Sequence, residues 1–276
     1  MNDSMMADAE WQVRWRERIF GIAAAFVRWP TNWGMGAPIL LYHRVVEPGV
    51  RTTDPFTVTL DAFANQISWL NERWKLVRMQ TLAERLASGN AEGLAAVTFD
   101  DGYHCTVTRA LSVLRAQGVP ATVFVDTGRL NTSSSALRAD DVRALSDAGM
   151  EIGSHSLTHT DLTHLDDETL RLELTHSRER LSAITGVDVV GFAYPFGRYN
   201  RRVLSAVSQS GYQYACTCRQ HRTNLPGDDL YKLTRTEINV GDRPRRFAAK
   251  LEGRYAPLYR AFYAIDPSRR EWLWDR

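Results

Sequence analysis

From position 38 onward, short apolar runs alternate with longer segments whose apolar residues recur every three or four positions. The runs cover 38–42, 94–99, 121–125, 150–153, 189–194, 212–217 and 236–240. Each is too short for an ordinary helix, and the pattern predicts buried β-strands. The helical segments cover 60–72, 81–87, 107–117, 139–148, 167–184 and 201–209, and Gly118, Gly149, Gly186 and Gly211 follow four of them where a left-handed C-cap belongs. Strands alternating with helices predict an α/β domain built on a parallel sheet. No linker rich in Pro, Gly or Ser breaks the series, so one domain is expected over 36–241, with a helical extension at 1–35 and a basic, aromatic one at 242–276.

Composition acts mainly by exclusion. With 276 residues, 44% of them hydrophobic and 24% charged, the chain can bury a sizeable core, which excludes disordered and collagen-like classes. The 34 basic and 32 acidic residues leave a formal charge of +2, so no nucleic-acid partner is expected. Cys105, Cys216 and Cys218 are too few to staple a chain of this size, and Cys216-Xaa-Cys218 has neither redox nor zinc spacing, so strand packing is expected. The apolar run at 19–27 is shorter than the ~20 residues that span a bilayer, and it ends in Arg28-Trp29-Pro30 rather than a small-residue cleavage site. A cytoplasmic protein is therefore expected. Segments 11–33 and 243–276 interleave aromatic residues with arginines, a composition that suits peripheral contact with anionic lipid at the inner face of the membrane. Packing against the outside of the domain is the alternative.

Chemistry-bearing residues gather at the predicted strand ends, where α/β sheets and barrels place their active sites. Thr98-Phe99-Asp100-Asp101-Gly102-Tyr103 closes the second run. Adjacent carboxylates there repel and lose hydration unless a cation or a function holds them, although an aspartate also caps a following helix well. Gly153-Ser154-His155-Ser156-Leu157-Thr158-His159 closes the fourth run. Two histidines four apart have metal-ligand spacing, a weak signal alone because solvated histidine pairs are common. A carboxylate at one strand end and this pair at a later one is stronger. Two histidines, one carboxylate and open positions suit a catalytic metal, since a closed structural zinc usually brings cysteines. Phe192-Ala193-Tyr194-Pro195-Phe196-Gly197 closes the fifth run. Pro195 ends that strand and frees the Phe196 backbone N–H for a ligand, with an ordinary aromatic turn as the plainer reading.

In this order and spacing, the three segments resemble the polysaccharide deacetylases of carbohydrate esterase family four, the NodB-like domain, over most of the chain from Pro38 to about Val240. Ile39-Leu40-Leu41-Tyr42-His43-Arg44-Val45 resembles the opening strand of the branch acting on exopolysaccharide and envelope glycans. The resemblance implies an incomplete (β/α)7 barrel that hydrolyses an acetamido group with the help of a divalent metal, zinc first and cobalt or nickel as alternatives. It implies metal ligation by Asp101, His155 and His159, Asp100 as general base, and the Phe196 N–H at the oxyanion. Two positions depart from the family pattern. Ala193 stands where an arginine usually tethers the base, and Arg235 is the candidate replacement. No histidine follows His221, so the late histidine that acts as general acid is missing, and His43 is the candidate for that role, against the plainer reading of a satisfied buried histidine. The expected substrate is an N-acetylated sugar in a polysaccharide or glycan precursor. The alternatives are deacetylation or deformylation of a lipid-linked sugar, glycan O-acetyl ester hydrolysis, and a non-catalytic glycan-binding barrel. Tyr103 and His104 are expected to line the cleft, and Trp69 and Trp74 to sit in the outer helical layer.

Overall fold

The computed structural model describes residues 36–50, 52–219 and 223–255; the expected N-terminal extension at 1–35 and most of the C-terminal one lie outside the described residues. The first apolar run forms β1 (Ile39–Tyr42), followed by two strands that the pattern does not predict, β2 (Arg44–Val46) and β3 (Thr57–Thr59). Next come α1 (Leu60–Asn71), the short β4 (Lys75–Leu76), α2 (Met79–Ala87) and β5 (Leu94–Phe99). A π-helical turn, Thr106–Ala110, then leads into α3 (Leu111–Ala116) where one continuous helix is expected. A single wide turn shifts the apolar face too little to show in the residue spacing. The order continues through β6 (Thr122–Val125), α4 (Ala139–Asp147), β7 (Glu151–Ser154) and α5 (Asp167–Thr185). It ends with β8 (Gly191–Ala193), α6 (Arg201–Gln209), β9 (Tyr214–Cys216), β10 (Thr236–Glu237) and α7 (Pro244–Leu251). Gly186 caps α5 at φ 74°, and Gly118, Gly149 and Gly211 are left-handed as expected.

The main sheet runs β10-β1-β5-β6-β7-β8-β9 with every pair parallel. It curls, because Leu233 bridges to Cys216 at the β9 edge while Thr236 pairs with Leu40 of β1. The result is the expected incomplete (β/α) barrel with helices around it. Alternation along each strand divides the apolar side chains between two cores. Leu40, Val97, Val123 and Val125 pack outward with the helices, whereas Ile39, Ala96, Phe124 and Tyr214 share a core within the curl, which brings the Tyr214 ring of β9 to 6.4 Å from Phe124 of β6 although those two strands are not neighbours. With both faces covered, the strands read as continuous apolar runs rather than alternating ones. The described part of the C-terminal segment is also packed: Phe247 and Leu251 of α7 join the outer core, and the Phe247 ring lies 5.5 Å from Trp69. Trp69 and Trp74 are in contact in that helical layer. Among the described residues no helix is long and apolar enough to cross a membrane.

Register decides where the chemistry goes. Val125 pairs with Ser154 and Ser154 with Phe192, so the C-terminal ends of β6, β7 and β8 lie on one rim, beside that of β5.

Candidate active site

The rim receives Asp100 and Asp101 from the end of β5, Asp126 from β6, the 155–159 loop from β7 and the 194–197 turn from β8. Five non-glycine residues among those described have left-handed φ, and four are here: Asp101 (68°), Ser156 (68°), His159 (54°) and Phe196 (58°). Each such residue costs on the order of 1 kcal/mol or more, and persists only where its surroundings over-determine it. The two histidines thus sit on a tight loop, not on a turn of helix. Glu173 of α5 holds that loop by accepting from the Leu157 and Thr158 amides (2.9 Å each) and from the Thr158 hydroxyl (2.6 Å). From the other side, the Thr127 and Gly128 amides donate to the carbonyls of Ser156 (3.2 Å) and Leu157 (2.6 Å).

Asp101, His155 and His159 converge. The Asp101 Oδ1 is 3.4 Å from the His155 Nε2 and 3.3 Å from the His159 Nε2. The donor set fits a divalent cation: bonds of about 2.0–2.1 Å in a tetrahedron separate neighbouring ligand atoms by about 3.3 Å. The His155 Nδ1 is 2.8 Å from the Ala193 carbonyl oxygen. That oxygen can only accept, so Nδ1 carries a proton in both states of the ring: the protonated ring donates from Nε2 to Asp101, and the neutral ring leaves an Nε2 lone pair free for a cation. Burial disfavours the charged form of His155, but the Asp100 and Asp101 carboxylates outweigh it and raise its pKa. Burial would also raise Asp101, yet its bonds to His155 and His159 hold it well below the usual carboxylate range.

Asp100, whose Oδ2 is 3.9 Å from the His155 Nε2, has a cation of its own. Arg235, fully buried, donates through Nη1 to Oδ1 and through Nη2 to Oδ2, both at 2.7 Å, and also binds the Thr98 hydroxyl and the Thr217 carbonyl. The structure thus brings Arg235 to the carboxylate that Ala193 leaves untethered. Burial raises the Asp100 pKa, and the guanidinium overcomes that and lowers it. His43, just past β1, has an unpartnered buried Nδ1 and a ring 5.0 Å from that of Phe56, and its charge bears on both Asp100 and Asp101. The Phe196 ring packs 4.7 Å from that of His159. The Phe196 amide makes no hydrogen bond among the described residues. Cys216 and Cys218 are free thiols beside the buried guanidinium; burial pushes each up to about 12.

Residues 88–215 match the family model described as polysaccharide deacetylase. Over that stretch the chain is similar to the polysaccharide deacetylases. A crystal structure of the polysaccharide deacetylase BC0361 from Bacillus cereus is 25% identical, with a TM-score of 0.70 over 78% of this chain and 69% of that one. The Streptococcus pyogenes deacetylase PplD, at 23% identity, shares the fold with a TM-score of 0.71 over 78% of this chain and 98% of its own. The peptidoglycan-N-acetylmuramic acid deacetylase PdaA of Bacillus subtilis is 34% identical over 119 residues, 42% of this chain and 43% of that protein. The chain therefore spans less than half the length of that relative.

Two residues of this candidate site escape the sequence reading. Asp126 is buried beside the histidine loop and accepts from the Gly128 amide (3.1 Å). Burial raises its pKa, against the pull of His159 and His155. It follows the apolar run 121–125 directly, so the strand-end criterion that singles out Asp100 applies to it equally. Glu173 has no comparable signal, being one of several acidic residues along α5. A cavity of about 450 Å³ lies elsewhere on the chain, between β2, β3 and the 239–242 turn, and shares no lining residue with the carboxylate–histidine cluster.

Proposed function

We propose that this chain removes the acetyl group from an N-acetylated sugar of a polysaccharide or glycan precursor, by a metal-dependent hydrolysis. The observation that carries this reading is the convergence of Asp101, His155 and His159 beside a second carboxylate, Asp100, that is held by both Nη atoms of Arg235. Asp101, His155 and His159 would hold a divalent cation, with zinc suited to two imidazoles and one carboxylate and cobalt or nickel able to replace it. When bound, the cation polarises the amide carbonyl and lowers the pKa of the attacking water.

The remaining steps belong to side chains of the chain itself. Asp100, ionised at neutral pH, takes the proton from the attacking water. Were it a ligand it would lose that proton affinity; its bidentate grip by Arg235 keeps it oriented and out of the ligand set. The unengaged Phe196 amide donates to the oxyanion as the acetamido carbon becomes tetrahedral. His43, across the rim at the end of β1, protonates the departing amine nitrogen. The opening strand 39–45 supports an exopolysaccharide or envelope glycan as the source of the sugar.

Purified protein loaded with zinc or cobalt should release acetate from N-acetylhexosamine oligomers. His155→Ala should lose both metal retention, read by elemental analysis after gel filtration, and acetate release. Undiminished release by that variant would sink the reading.

A further inference from the structure

Arginines crowd this rim, and most are matched to a carboxylate. Arg235 holds Asp100, Arg198 holds Asp161 at 2.8 Å, and Arg44 holds Asp54 at 3.2 Å. Arg129 is different. It ends the Thr127–Arg129 turn after β6, and no carboxylate among the described residues lies within 4.0 Å of its guanidinium. Its guanidinium carbon instead lies 4.3 Å from the centre of the Tyr103 ring, and that of Arg44 lies 5.1 Å from the same ring.

Two guanidinium groups on one aromatic ring attract the ring and repel each other. The Asp54 charge offsets Arg44, but Arg129 has no counter-charge of its own. The corner is also placed at the chemistry. Tyr103 is two residues beyond Asp101, and the turn carrying Arg129 is bonded to the histidine loop through the Thr127 and Gly128 amides. A guanidinium held against a ring face keeps its N–H fork in plane, the geometry that meets a carboxylate or phosphate with two hydrogen bonds.

We propose that Arg129, stacked on Tyr103 beside Arg44, forms an anion subsite, and that the substrate is an N-acetylated glycan carrying a carboxylate or phosphate next to the acetamido group. The position of the acetamido group rests on the deacetylase reading; the anion subsite itself does not. Matched acetylated oligosaccharides test it, one neutral, one bearing a uronic carboxylate and one bearing a phosphomonoester. Their binding to metal-free protein is measured by calorimetry, and their turnover with metal-loaded protein.

The wild type should bind at least one charged oligomer tenfold or more tighter than the neutral one, and the stronger arm identifies carboxylate or phosphate. Arg129→Gln should collapse that ratio toward one, Arg129→Lys should restore part of it, and added salt should shrink it. Equal binding of neutral and charged oligomers by the wild type overturns the proposal, as does Arg129→Gln or a folded Arg129→Lys that keeps the full ratio. A charge preference in binding, lost in Arg129→Gln, with no turnover of any oligomer, upholds the subsite and overturns the hydrolase reading. Turnover without charge preference does the reverse.

Discussion

Arg235 is the residue on which the state of the site turns. With both Nη atoms on Asp100 and full burial, its replacement by methionine leaves an unpaired charge in the interior. Breaking a buried pair in this way costs about 3–5 kcal/mol, so Arg235→Met should lower the urea-unfolding free energy by about that amount. Asp100→Asn added to Arg235→Met should recover much of the loss without recovering acetate release. A loss under about 1 kcal/mol in the single variant would show that the pair is not what holds Asp100. The pH dependence follows from the sign of the shift. Asp100 is lowered in the fold, so its stabilisation is complete above its ordinary value of about 3.9 and disappears as pH falls through the folded value. Without Arg235, only His155 and His43 oppose the effect of burial, and the acid limbs of stability and turnover should both move to higher pH. Arg235 could be singled out only because the family pattern misses an arginine at 193; nothing local marks it among 34 basic residues. Asp126 is as legible by position as Asp100, but it lacks the acidic neighbour that makes Asp100 and Asp101 stand out.

At the scale of elements, the histidine loop depends on α5. Three hydrogen bonds converge on Glu173, and they fix the Leu157–Thr158 backbone between the two histidines. Glu173→Ala removes them at once, leaving the helix intact because alanine is the best helix former. Losing groups that orient metal ligands typically weakens metal affinity by about 10–100-fold. That drop is expected here by competition with a chelator, with unchanged helical circular dichroism. Unaltered affinity would mean that the strand and the Thr127–Gly128 contacts hold the loop alone. The long elements around this loop were legible because each carries a full period: α5, β5 and β6 fall where the apolar spacing puts them. β2, β3 and β4 were not, since two or three residues contain no period. The last strand is legible in the run 236–240 and appears as β10, but the pairing of the 233–237 segment with both edges of the sheet is non-local, and only the fold brings Cys216 and Leu40 within reach.

For the whole molecule, the proposed ligands come from strand ends far apart in sequence, so the site exists only when the barrel is formed and metal binding is linked to folding. A cation at a hundred times its dissociation constant that binds only the folded chain adds about 2.7 kcal/mol. At roughly 2–4 °C per kcal/mol for a chain of this size, zinc should raise the melting temperature by about 5–10 °C at pH 8. Protons compete for the same site. His155 has a raised pKa in the metal-free fold because Asp100 and Asp101 outweigh its burial. Its protonation therefore stabilises the metal-free fold fully below the ordinary histidine value of about 6.5, a contribution lost as pH rises through the folded value. Zinc needs the same nitrogen unprotonated, so the zinc-induced rise should be largest above the folded value and should vanish on its acid side. Asp101, held well below the usual carboxylate range, stays ionised throughout and does not blur this dependence. Calorimetric scans with and without zinc between pH 8 and pH 5 measure the effect directly. An equal rise at both ends, or a rise that survives His155→Ala, would place the stabilising cation somewhere other than the Asp101, His155 and His159 cluster.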